Sequence, residues 1–348
     1  MQPVAQRGRG GCALTGPRIR ALKSYLAYLW ARGPSRLFRI GRPGLVWERA
    51  QARRAVRAWA SQQRCPELTV CVPTRCRIDL LLPCLRSLAA TADGWPVDVV
   101  VAETGRAPTA EVLERQLGVR ALSVSGPFNF AEACNRMADA ARGRRLIFLN
   151  DDTIARTTGW PRALIGADED EVIGALLLYP GSDRVQHSGV EAGIGVASAR
   201  RNRYGPRGFT SRSNGLVLRT IGLGRPASEL AGSPDLEVLA VSGAALSVDA
   251  ERFRSAGGFD PGYAVDLQDF DLCLRLREQG ARVVCRTDVV FSHRGAGTRG
   301  FYAFPQEDWE RFVGRWGNQL KDSSELAVAA AERCSSTRPP SRLRSRPS

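Results

Sequence analysis

The feature that most constrains the fold is an alternation of short apolar runs with helical patterns between residues 68 and 149. Each run is compact, rich in Val, Ile and Leu and bounded by turn residues, which predicts a buried strand. The predicted strands are 68–72, 97–102, 120–124 and 146–149, and the helices predicted between them are 79–90, 108–117 and 130–141. A repeated strand and helix of this kind predict an α/β domain with a mostly parallel sheet.

The second half of the chain is less regular. Its apolar runs predict strands at 172–179, 238–247, 282–285 and 289–293, and helical periodicity predicts a helix at 269–279. A stretch rich in Gly, Arg and Ser, at 195–215, interrupts the regular pattern. We expect one large α/β domain over residues 67–320, with residues 67–165 and 166–320 as its two halves.

Basic charge is concentrated at the two ends of the chain. The formal net charge is +15, and residues 1–65 contain fourteen Lys and Arg against one acidic residue. Helical patterns at 19–31 and 47–63 predict a basic helical extension over residues 1–66, and the Ser, Arg and Pro content of residues 321–348 predicts a disordered basic tail. A basic arm on a nearly neutral body fits an anionic membrane surface, a partner or an RNA equally well.

The pattern at 19–31 is amphipathic, which suits either a membrane-surface helix or a helix packed on the body of the protein. No apolar run is long enough to cross a bilayer, and the first residues lack the core of a signal peptide. The nine cysteines form no CxxC pair, which is typical of reduced thiols. We expect a cytoplasmic protein, with a peripheral contact to the inner membrane face as one use of this helix.

Three oxygen-bearing side chains, Asn150, Asp151 and Asp152, directly follow the predicted strand 146–149. Ligands of open α/β sheets gather at the carboxyl ends of strands. Adjacent carboxylates there suit a hard divalent cation beside a diphosphate. The same residue types also form turns and cap helices, and for this triplet alone that structural interpretation is the stronger one.

Two further carboxylates, Asp269 and Asp271, lie at the start of a predicted helix. The positive end of the helix dipole favours the ionised form, so one of them could act as a general base. The alternative assigns Asp269 to the N-cap and Asp271 to the first helical turn.

His293 is one of only two histidines, and it ends the predicted strand 289–293 just before a Gly-rich segment that contains Arg294 and Arg299. An imidazole beside flexible arginines suits a metal ion and a diphosphate. A lone histidine is more often structural, and it is the neighbouring sequence that favours a site.

A set of short segments occurs in a fixed order between about residues 68 and 320. They are Val70-Cys71-Val72-Pro73-Thr74, Phe128-Asn129-Phe130, Ala133-Cys134-Asn135-Arg136, Leu149-Asn150-Asp151-Asp152-Thr153, Val185-Gln186-His187-Ser188-Gly189, Val241-Ser242-Gly243-Ala244, Gly257-Gly258-Phe259-Asp260, and Gln268-Asp269 with Asp271-Leu272-Cys273-Leu274-Arg275. This order resembles family 2 of the inverting glycosyltransferases, and within it the bacterial branch that builds surface polysaccharides, which includes rhamnosyltransferase-like members. Each segment is weak alone, and their common order is specific.

The resemblance implies a GT-A fold, a single Rossmann-like mixed sheet flanked by helices. It implies transfer of a sugar with inversion, from a UDP-, dTDP- or GDP-sugar to a hydroxyl of a glycan or lipid-linked acceptor, in cell-surface polysaccharide synthesis. Residues 67–165 would then be the nucleotide-sugar-binding half, and residues 166–320 the acceptor and catalytic half.

Residue by residue, the resemblance implies that Asp152 and His293 bind Mg²⁺ or Mn²⁺, assisted by Asn150 or Asp151, and that Asp269 is the catalytic base. The residues that it places on the nucleotide sugar are Pro73, Thr74, Glu103, Asn129, Asn135, Arg136, Arg294 and Arg299. Gly243 and Gln268 fall on the acceptor side.

Three departures from the family pattern bear on these roles. Glu103 and the residues after it replace a base-contacting turn of the Asp-Asn-Gly-Ser type, Gln268 replaces an acidic residue before the base, and Asn150 takes the first position of the DXD-type motif. These changes predict altered donor or metal affinity. They also keep open a catalytically silent domain that binds a nucleotide sugar or glycan as a scaffold, whereas nucleic-acid binding by the basic arm ranks last because few aromatic residues accompany it.

Overall fold

The structure of the protein is a computed structural model, which describes residues 43–61, 66–104, 110–194, 209–210, 215–230, 235–295 and 306–336. Its α-helices are α1 (Pro43–Ser61), α2 (Ile78–Thr91), α3 (Ala110–Leu117), α4 (Phe130–Ala140), α5 (Trp160–Ile165), α6 (Ala250–Ser255), α7 (Gln268–Glu278) and α8 (Gln306–Ser336). Its strands are β1 (Leu68–Thr74), β2 (Val97–Glu103), β3 (Arg120–Ser123), β4 (Arg145–Leu149), β5 (Thr153–Ala155), β6 (Glu171–Leu178), β7 (Val185–His187), β8 (Val190–Ile194), β9 (Phe209–Thr210), β10 (Leu216–Thr220), β11 (Asp235–Glu237), β12 (Ala245–Asp249) and β13 (Arg282–His293). The predicted helix at 19–31 and the predicted site residue Arg299 lie outside the described residues.

The main sheet is mixed, with the strand order β11-β13-β6-β12-β4-β1-β2-β3, and β5 and β7 pair with β13 and β6 off this path. The predicted parallel pairing holds for β1 with β2 and β4, and for β2 with β3. Strand β12 runs antiparallel to both β4 and β6, so the sheet is parallel in its first half and mixed in its second. A separate three-stranded sheet has the order β8-β10-β9.

The core has two main layers, one on each face of the main sheet. Strands β1, β2 and β4 are buried along their whole length. This is why their sequences are mainly apolar on both faces instead of alternating between apolar and polar residues. Helices α4, α7 and α8 contribute to one layer, and α1, α2 and α3 contribute to the other.

Helix α1 belongs to the second layer, because Ala52, Val56 and Ala60 are buried in it. Their spacing of four residues places them on one stripe of the helix. The predicted helix at 47–63 is therefore a packed part of the domain. Of the helices that the structure describes, none has the length and apolar character needed to span a membrane.

Three predictions of secondary structure are wrong. Strand β12 begins at Ala245 and not at residue 238, because a turn with a hydrogen bond from Ala245 N to Ser242 O interrupts the apolar run. The two strands predicted at 282–285 and 289–293 are one strand, β13, whose register shifts between Arg286 and Val290.

The third correction concerns the C-terminal tail. Helix α8 extends to Ser336, so the part of the predicted disordered tail between residues 321 and 336 is helical. The run Glu-Leu-Ala-Val-Ala-Ala-Ala-Glu at 325–332 consists mainly of strong helix formers, and it prolongs a helix whose first turns are anchored in the core by Trp309, Phe312 and Trp316. Residues 337–348 lie outside the described residues.

Candidate active site

The polar triplet after β4 forms a tight turn at the carboxyl end of a central strand. Thr153 closes the turn, because its backbone N–H and its hydroxyl both donate to the carbonyl of Asn150, at 3.2 and 2.8 Å. The backbone N–H of Asn150 donates to the carbonyl of Ala244, at 3.2 Å. This bond joins the turn to the segment that leads into β12.

Asp152 and His293 are brought together by the pairing of β5 with the end of β13. His293 lies opposite Thr153 in that ladder, and Asp152 Oδ1 is 3.2 Å from His293 Nε2. The amide nitrogen of Asn150 is also 3.2 Å from His293 Nε2. The Asp152 side chain is 6% exposed and that of His293 14% exposed, so the pair is largely shielded from water but reachable.

The pair fits a divalent cation. Neighbouring ligands in an octahedral shell with bonds of about 2.1 Å are roughly 3 Å apart, close to the observed separation of the carboxylate and imidazole. In the described part of the chain no group of three or more His, Cys, Asp and Glu side chains is arranged to hold a metal ion. A carboxylate and an imidazole at this separation suit a cation that also binds phosphate oxygens and water.

Asp151 is separated from this pair. Its carboxylate accepts a hydrogen bond from the hydroxyl of Thr74, on β1, at 2.7 Å. Burial raises the pKa of Asp151 to about 6, and the bond from Thr74 opposes the shift. The structure thus brings Asn150 to the predicted metal pair, and Asp151 to the strand end that carries the predicted donor residues.

The ends of β1 and β2 complete this edge of the sheet. Pro73 and Thr74 are buried at the end of β1, and Thr74 lies opposite Glu103 in the parallel ladder. The buried carboxylate of Glu103 accepts hydrogen bonds from the Ser123 hydroxyl, at 2.5 Å, and from the Cys76 thiol, at 3.1 Å. Both of its oxygens are therefore used inside the fold.

Asp269 lies in the first turn of α7 and contacts the same region through Gly243. Its Oδ2 accepts a hydrogen bond from Gly243 N at 2.7 Å, and its Oδ1 accepts one from Phe270 N at 3.0 Å. A Cβ on Gly243 would lie 3.3 Å from the Asp269 Cβ and 3.4 Å from the Phe130 ring, which explains the glycine. Gly243 directly precedes the residue whose carbonyl holds the Asn150 turn, so Asp269 and the Asp152–His293 pair are attached to the same backbone segment.

Asp269 is not the N-cap of its helix. The N-cap is Leu267, which has a left-handed φ of 70° and makes no side-chain capping bond. A branched residue in this conformation costs of the order of 1–2 kcal/mol. Burial raises the pKa of Asp269 to about 6, and the backbone bonds from Gly243 and Phe270 oppose the shift. A carboxyl held in this way is an effective proton acceptor near neutral pH.

Asp271, the other carboxylate of the helix start, is structural. It is completely buried, and it accepts hydrogen bonds from Trp316 Nε1 at 2.9 Å and from Arg275 Nε at 2.8 Å. Gln268 is also buried, and its amide nitrogen donates to Val265 O at 3.2 Å. Its Oε1 has no hydrogen-bond partner among the described residues, which leaves a buried acceptor next to Asp269.

Helix α4 carries three of the predicted nucleotide-sugar residues, and their described contacts lie within the protein. Asn129 caps the helix by accepting from Glu132 N at 3.0 Å, and it donates to Pro261 O at 3.0 Å. Asn135 exchanges two hydrogen bonds with the backbone of Phe259, at 2.8 and 2.9 Å. Arg136 is exposed and pairs with Glu132. The first two therefore fasten the loop before α7.

Arg294 is exposed, and its backbone N–H donates to the carbonyl of Asp152 at 3.1 Å. It lies close enough to Asp79 for its charge to contribute to the lowered pKa of that carboxyl, whose main cause is the hydrogen bond from Arg77. Arg294 is thus an exposed cation next to the Asp152–His293 pair, at the mouth of the candidate site.

Two residues with a clear role in the site were not singled out in the sequence. Gln186, on β7, makes two hydrogen bonds to His293. Asp308, on α8, accepts from the backbone N–H groups of residues 264, 265 and 266, at 2.7, 2.9 and 2.8 Å, and so holds the loop that leads to Asp269. The only sequence signal for Gln186 was the segment Val185-Gln186-His187-Ser188-Gly189, and Asp308 had none.

Residues 69–221 match the family described as glycosyl transferase family 2. The O-antigen biosynthesis protein RfbC of Myxococcus xanthus is 29% identical over 312 residues, which cover 88% of this chain and 22% of that protein. Protein y4gI of Sinorhizobium fredii (strain NBRC 101917 / NGR234) is 25% identical over 252 residues, which cover 70% of this chain and 26% of that protein. The chain thus spans about a quarter of the length of these curated relatives.

Among solved structures, GalNAc-T7 with UDP, GalNAc and Mn²⁺ has a similar fold, with a TM-score of 0.50 at 15% identity. The likeness covers 74% of this chain and 50% of that chain. It confirms the predicted fold class, an α/β domain whose main sheet is mixed and flanked by helices.

Proposed function

Since the chain carries a family 2 glycosyltransferase domain of the GT-A fold, we propose that it transfers a sugar from a nucleotide-sugar donor to an acceptor hydroxyl with inversion at the anomeric carbon. The observation that supports this proposal is the backbone link between the two groups: residues 243 and 244 bind the Asp269 carboxyl on one side and the turn that carries the Asp152–His293 pair on the other. Asp269 and His293 lie beyond the residues that match the family, so their arrangement is support independent of that match.

Asp152 and His293 would hold a divalent cation, Mg²⁺ or Mn²⁺. When bound, the cation would neutralise the charge that develops on the departing nucleoside diphosphate. Arg294, at the mouth of the site, would add a positive charge for the same phosphates. GalNAc-T7 was solved with UDP and Mn²⁺, which supports a nucleotide sugar and a metal of this kind as ligands here.

Asp269 would perform the proton transfer. Its carboxylate takes the proton of the acceptor hydroxyl, the freed oxygen bonds to the anomeric carbon, and the bond from that carbon to the diphosphate breaks with its electron pair on the diphosphate. The N–H groups of Gly243 and Phe270 orient the carboxyl for this step. A single displacement needs no covalent intermediate on the protein, and inversion follows from it.

The acceptor that we propose is a glycan or lipid-linked glycan of a cell-surface polysaccharide. The likeness to an O-antigen biosynthesis protein supports this class. Residues 1–42 lie outside the described residues, and their predicted contact with the inner membrane face remains a prediction, which vesicle sedimentation of the chain with and without them would test.

The function is tested by nucleotide release from a panel of UDP-, dTDP- and GDP-sugars, with a mixture of glycan and lipid-linked acceptors, with and without Mn²⁺. We expect release from one donor class, dependent on the metal and reduced at least about 100-fold by Asp152→Asn. Asp139→Asn, which alters an exposed acid on α4, should leave the rate unchanged. Tight donor binding without turnover on any acceptor would instead indicate a catalytically silent domain that binds the nucleotide sugar as a scaffold.

The activity should depend on pH through Asp269. Its pKa of about 6 means that the ionised, base-competent form is complete above pH 7 and falls about tenfold per pH unit below 6. We therefore expect kcat/KM to decline on the acid side with an apparent pKa near 6. Donor affinity measured over the same pH range shows whether the decline reflects weaker donor binding. Because the pKa of Asp151 is similar, the profile of Asp151→Asn shows whether Asp151 contributes to the decline. A profile that stays flat down to about pH 4.5 would exclude a raised pKa at the base.

A further inference from the structure

The side chain of Gln186 contacts His293 at two points. Its amide nitrogen donates to the backbone carbonyl of His293 at 2.9 Å, and its Oε1 is 2.7 Å from His293 Nδ1. A backbone carbonyl can only accept a hydrogen bond, so the first contact fixes which end of the amide is the nitrogen. The oxygen therefore faces the ring, and His293 Nδ1 must be the donor.

The proton on Nδ1 determines the state of the other ring nitrogen. In a neutral imidazole one nitrogen carries hydrogen and the other a lone pair. With hydrogen on Nδ1, the lone pair of His293 lies on Nε2, the atom that is 3.2 Å from Asp152 Oδ1. We propose that Gln186 is a positioning residue that locks His293 in the Nδ1–H tautomer, and so presents Nε2 as a ligand for the divalent cation of the proposed function, on which this inference rests.

The strand order explains how residues so distant in sequence meet. Strand β6 lies between β7 and β13, and it pairs with both at its carboxyl end. Gln186 projects from β7 toward the last residue of β13, and it is partly buried there. Gly295 lies against the contact, since a Cβ at this position would be 3.1 Å from Gln186 Nε2. A side chain at this position would press on the amide, so Gly295 leaves Gln186 room to make the two hydrogen bonds.

His187 provides an internal reference with the opposite tautomer. Its Nδ1 accepts a hydrogen bond from Gly189 N at 3.1 Å, so in the neutral ring the hydrogen is on Nε2. Burial lowers the pKa of His187 to about 4, which keeps the ring neutral. The chain has only two histidines, so each gives a separate and assignable signal.

The test uses two-bond ¹H–¹⁵N correlation of the histidine rings in the metal-free full-length chain, at about pH 9, where an imidazole of ordinary pKa is neutral. We expect the Nδ1–H pattern for His293 and the Nε2–H pattern for His187, with the two signals assigned by His293→Asn. In Gln186→Met, which keeps the length of the side chain but removes both hydrogen bonds, the His293 signal should shift toward the Nε2–H form. Gln186→Glu, which retains an acceptor for Nδ1–H, should restore the wild-type pattern.

Mn²⁺ affinity, measured by electron paramagnetic resonance, provides the second readout. Loss of an outer contact to a metal-binding histidine typically weakens binding 10–100-fold, so we expect a loss of about that size in Gln186→Met. The control Gln319→Met alters an exposed residue of α8 and should bind as wild type. An unchanged His187 signal in Gln186→Met would show that the fold is retained.

The outcomes separate the two proposals. If wild type binds Mn²⁺ but its His293 carries hydrogen on Nε2, or if Gln186→Met changes neither the tautomer nor the affinity, the role of Gln186 is overturned while the proposed function stands. If wild type has the Nδ1–H tautomer but binds no Mn²⁺, the metal of the proposed function fails, and the inference that Gln186 serves it fails too.

Discussion

Replacement of Asp269 by Asn is expected to reduce kcat by about 10³-fold, within the usual contribution of a general base. The amide has nearly the same shape as the carboxyl, but it cannot take a proton from the acceptor hydroxyl. Donor binding should be unaffected, because the metal pair and the strand ends that face the donor are unchanged. The measurement is nucleotide release with saturating donor and acceptor, together with the donor Kd.

The same variant should not lose stability at neutral pH. The pKa of Asp269 is raised in the fold to about 6 from an ordinary value of 3.8, so the unfolded chain ionises first. As pH rises between these two values, the free energy of unfolding therefore falls. The total decrease is of the order of 2–3 kcal/mol, and it is reached by about pH 7. Asn removes this cost but satisfies only one of the two backbone N–H donors, at a loss of about 1–2 kcal/mol.

We therefore expect Asp269→Asn to be inactive yet at least as stable as wild type at pH 8 in urea unfolding. Asp288→Asn, an exposed acid on β13, should change neither quantity. A variant that keeps more than about a tenth of the wild-type kcat would show that another group accepts the proton. A variant that is inactive because it unfolds would be recognised by a lower urea concentration at the midpoint of unfolding.

Replacement of Asp308 by Ala should have the largest effect on stability. Asp308 is 2% exposed, and its carboxylate accepts hydrogen bonds from three consecutive backbone N–H groups in the loop 264–266. Its removal would leave those donors without a partner and open a small cavity beneath the loop. The expected loss is roughly 3–5 kcal/mol in the free energy of unfolding. Activity should fall as well, because this loop positions α7 and its base.

The neighbouring Glu307 is a matched control, since it is also acidic and in the first turn of α8 but is exposed. Glu307→Ala should shift the free energy of unfolding by less than about 0.5 kcal/mol. Asp308→Asn retains one acceptor oxygen, so its free energy of unfolding should lie between those of Asp308→Ala and wild type. A loss below about 1 kcal/mol in Asp308→Ala would mean that water replaces the carboxylate at the three N–H groups.

The sequence predicted those features that are encoded locally. Strands β1, β2 and β4 are short, mainly apolar runs bounded by turn residues, a pattern typical of buried strands. The position of Asp152 at the end of β4 follows from the same rule about strand ends. The roles proposed for Asp269 and His293 rest on the order of the motifs, because the local patterns also fit a helix cap and a structural histidine.

The missed features depend on contacts between residues far apart in the chain. Gln186 and His293 are separated by 107 positions. They come into contact because β7 and β13 both pair with the carboxyl end of β6. Asp308 is 42–44 positions from the groups that it holds. Asn129 and Asn135 were predicted from a sequence motif to contact the nucleotide sugar. In the structure their side-chain amides donate hydrogen bonds to a loop of the protein itself.

Helix α1 lies outside the family match but inside the folded domain. The family match begins at residue 69, whereas the apolar stripe of α1 is part of the same core layer as α2 and α3. A segment outside the family match therefore completes the hydrophobic surface of the domain. Any exchange of this domain between relatives would have to carry the helix with it, or supply another apolar surface to cover the same face.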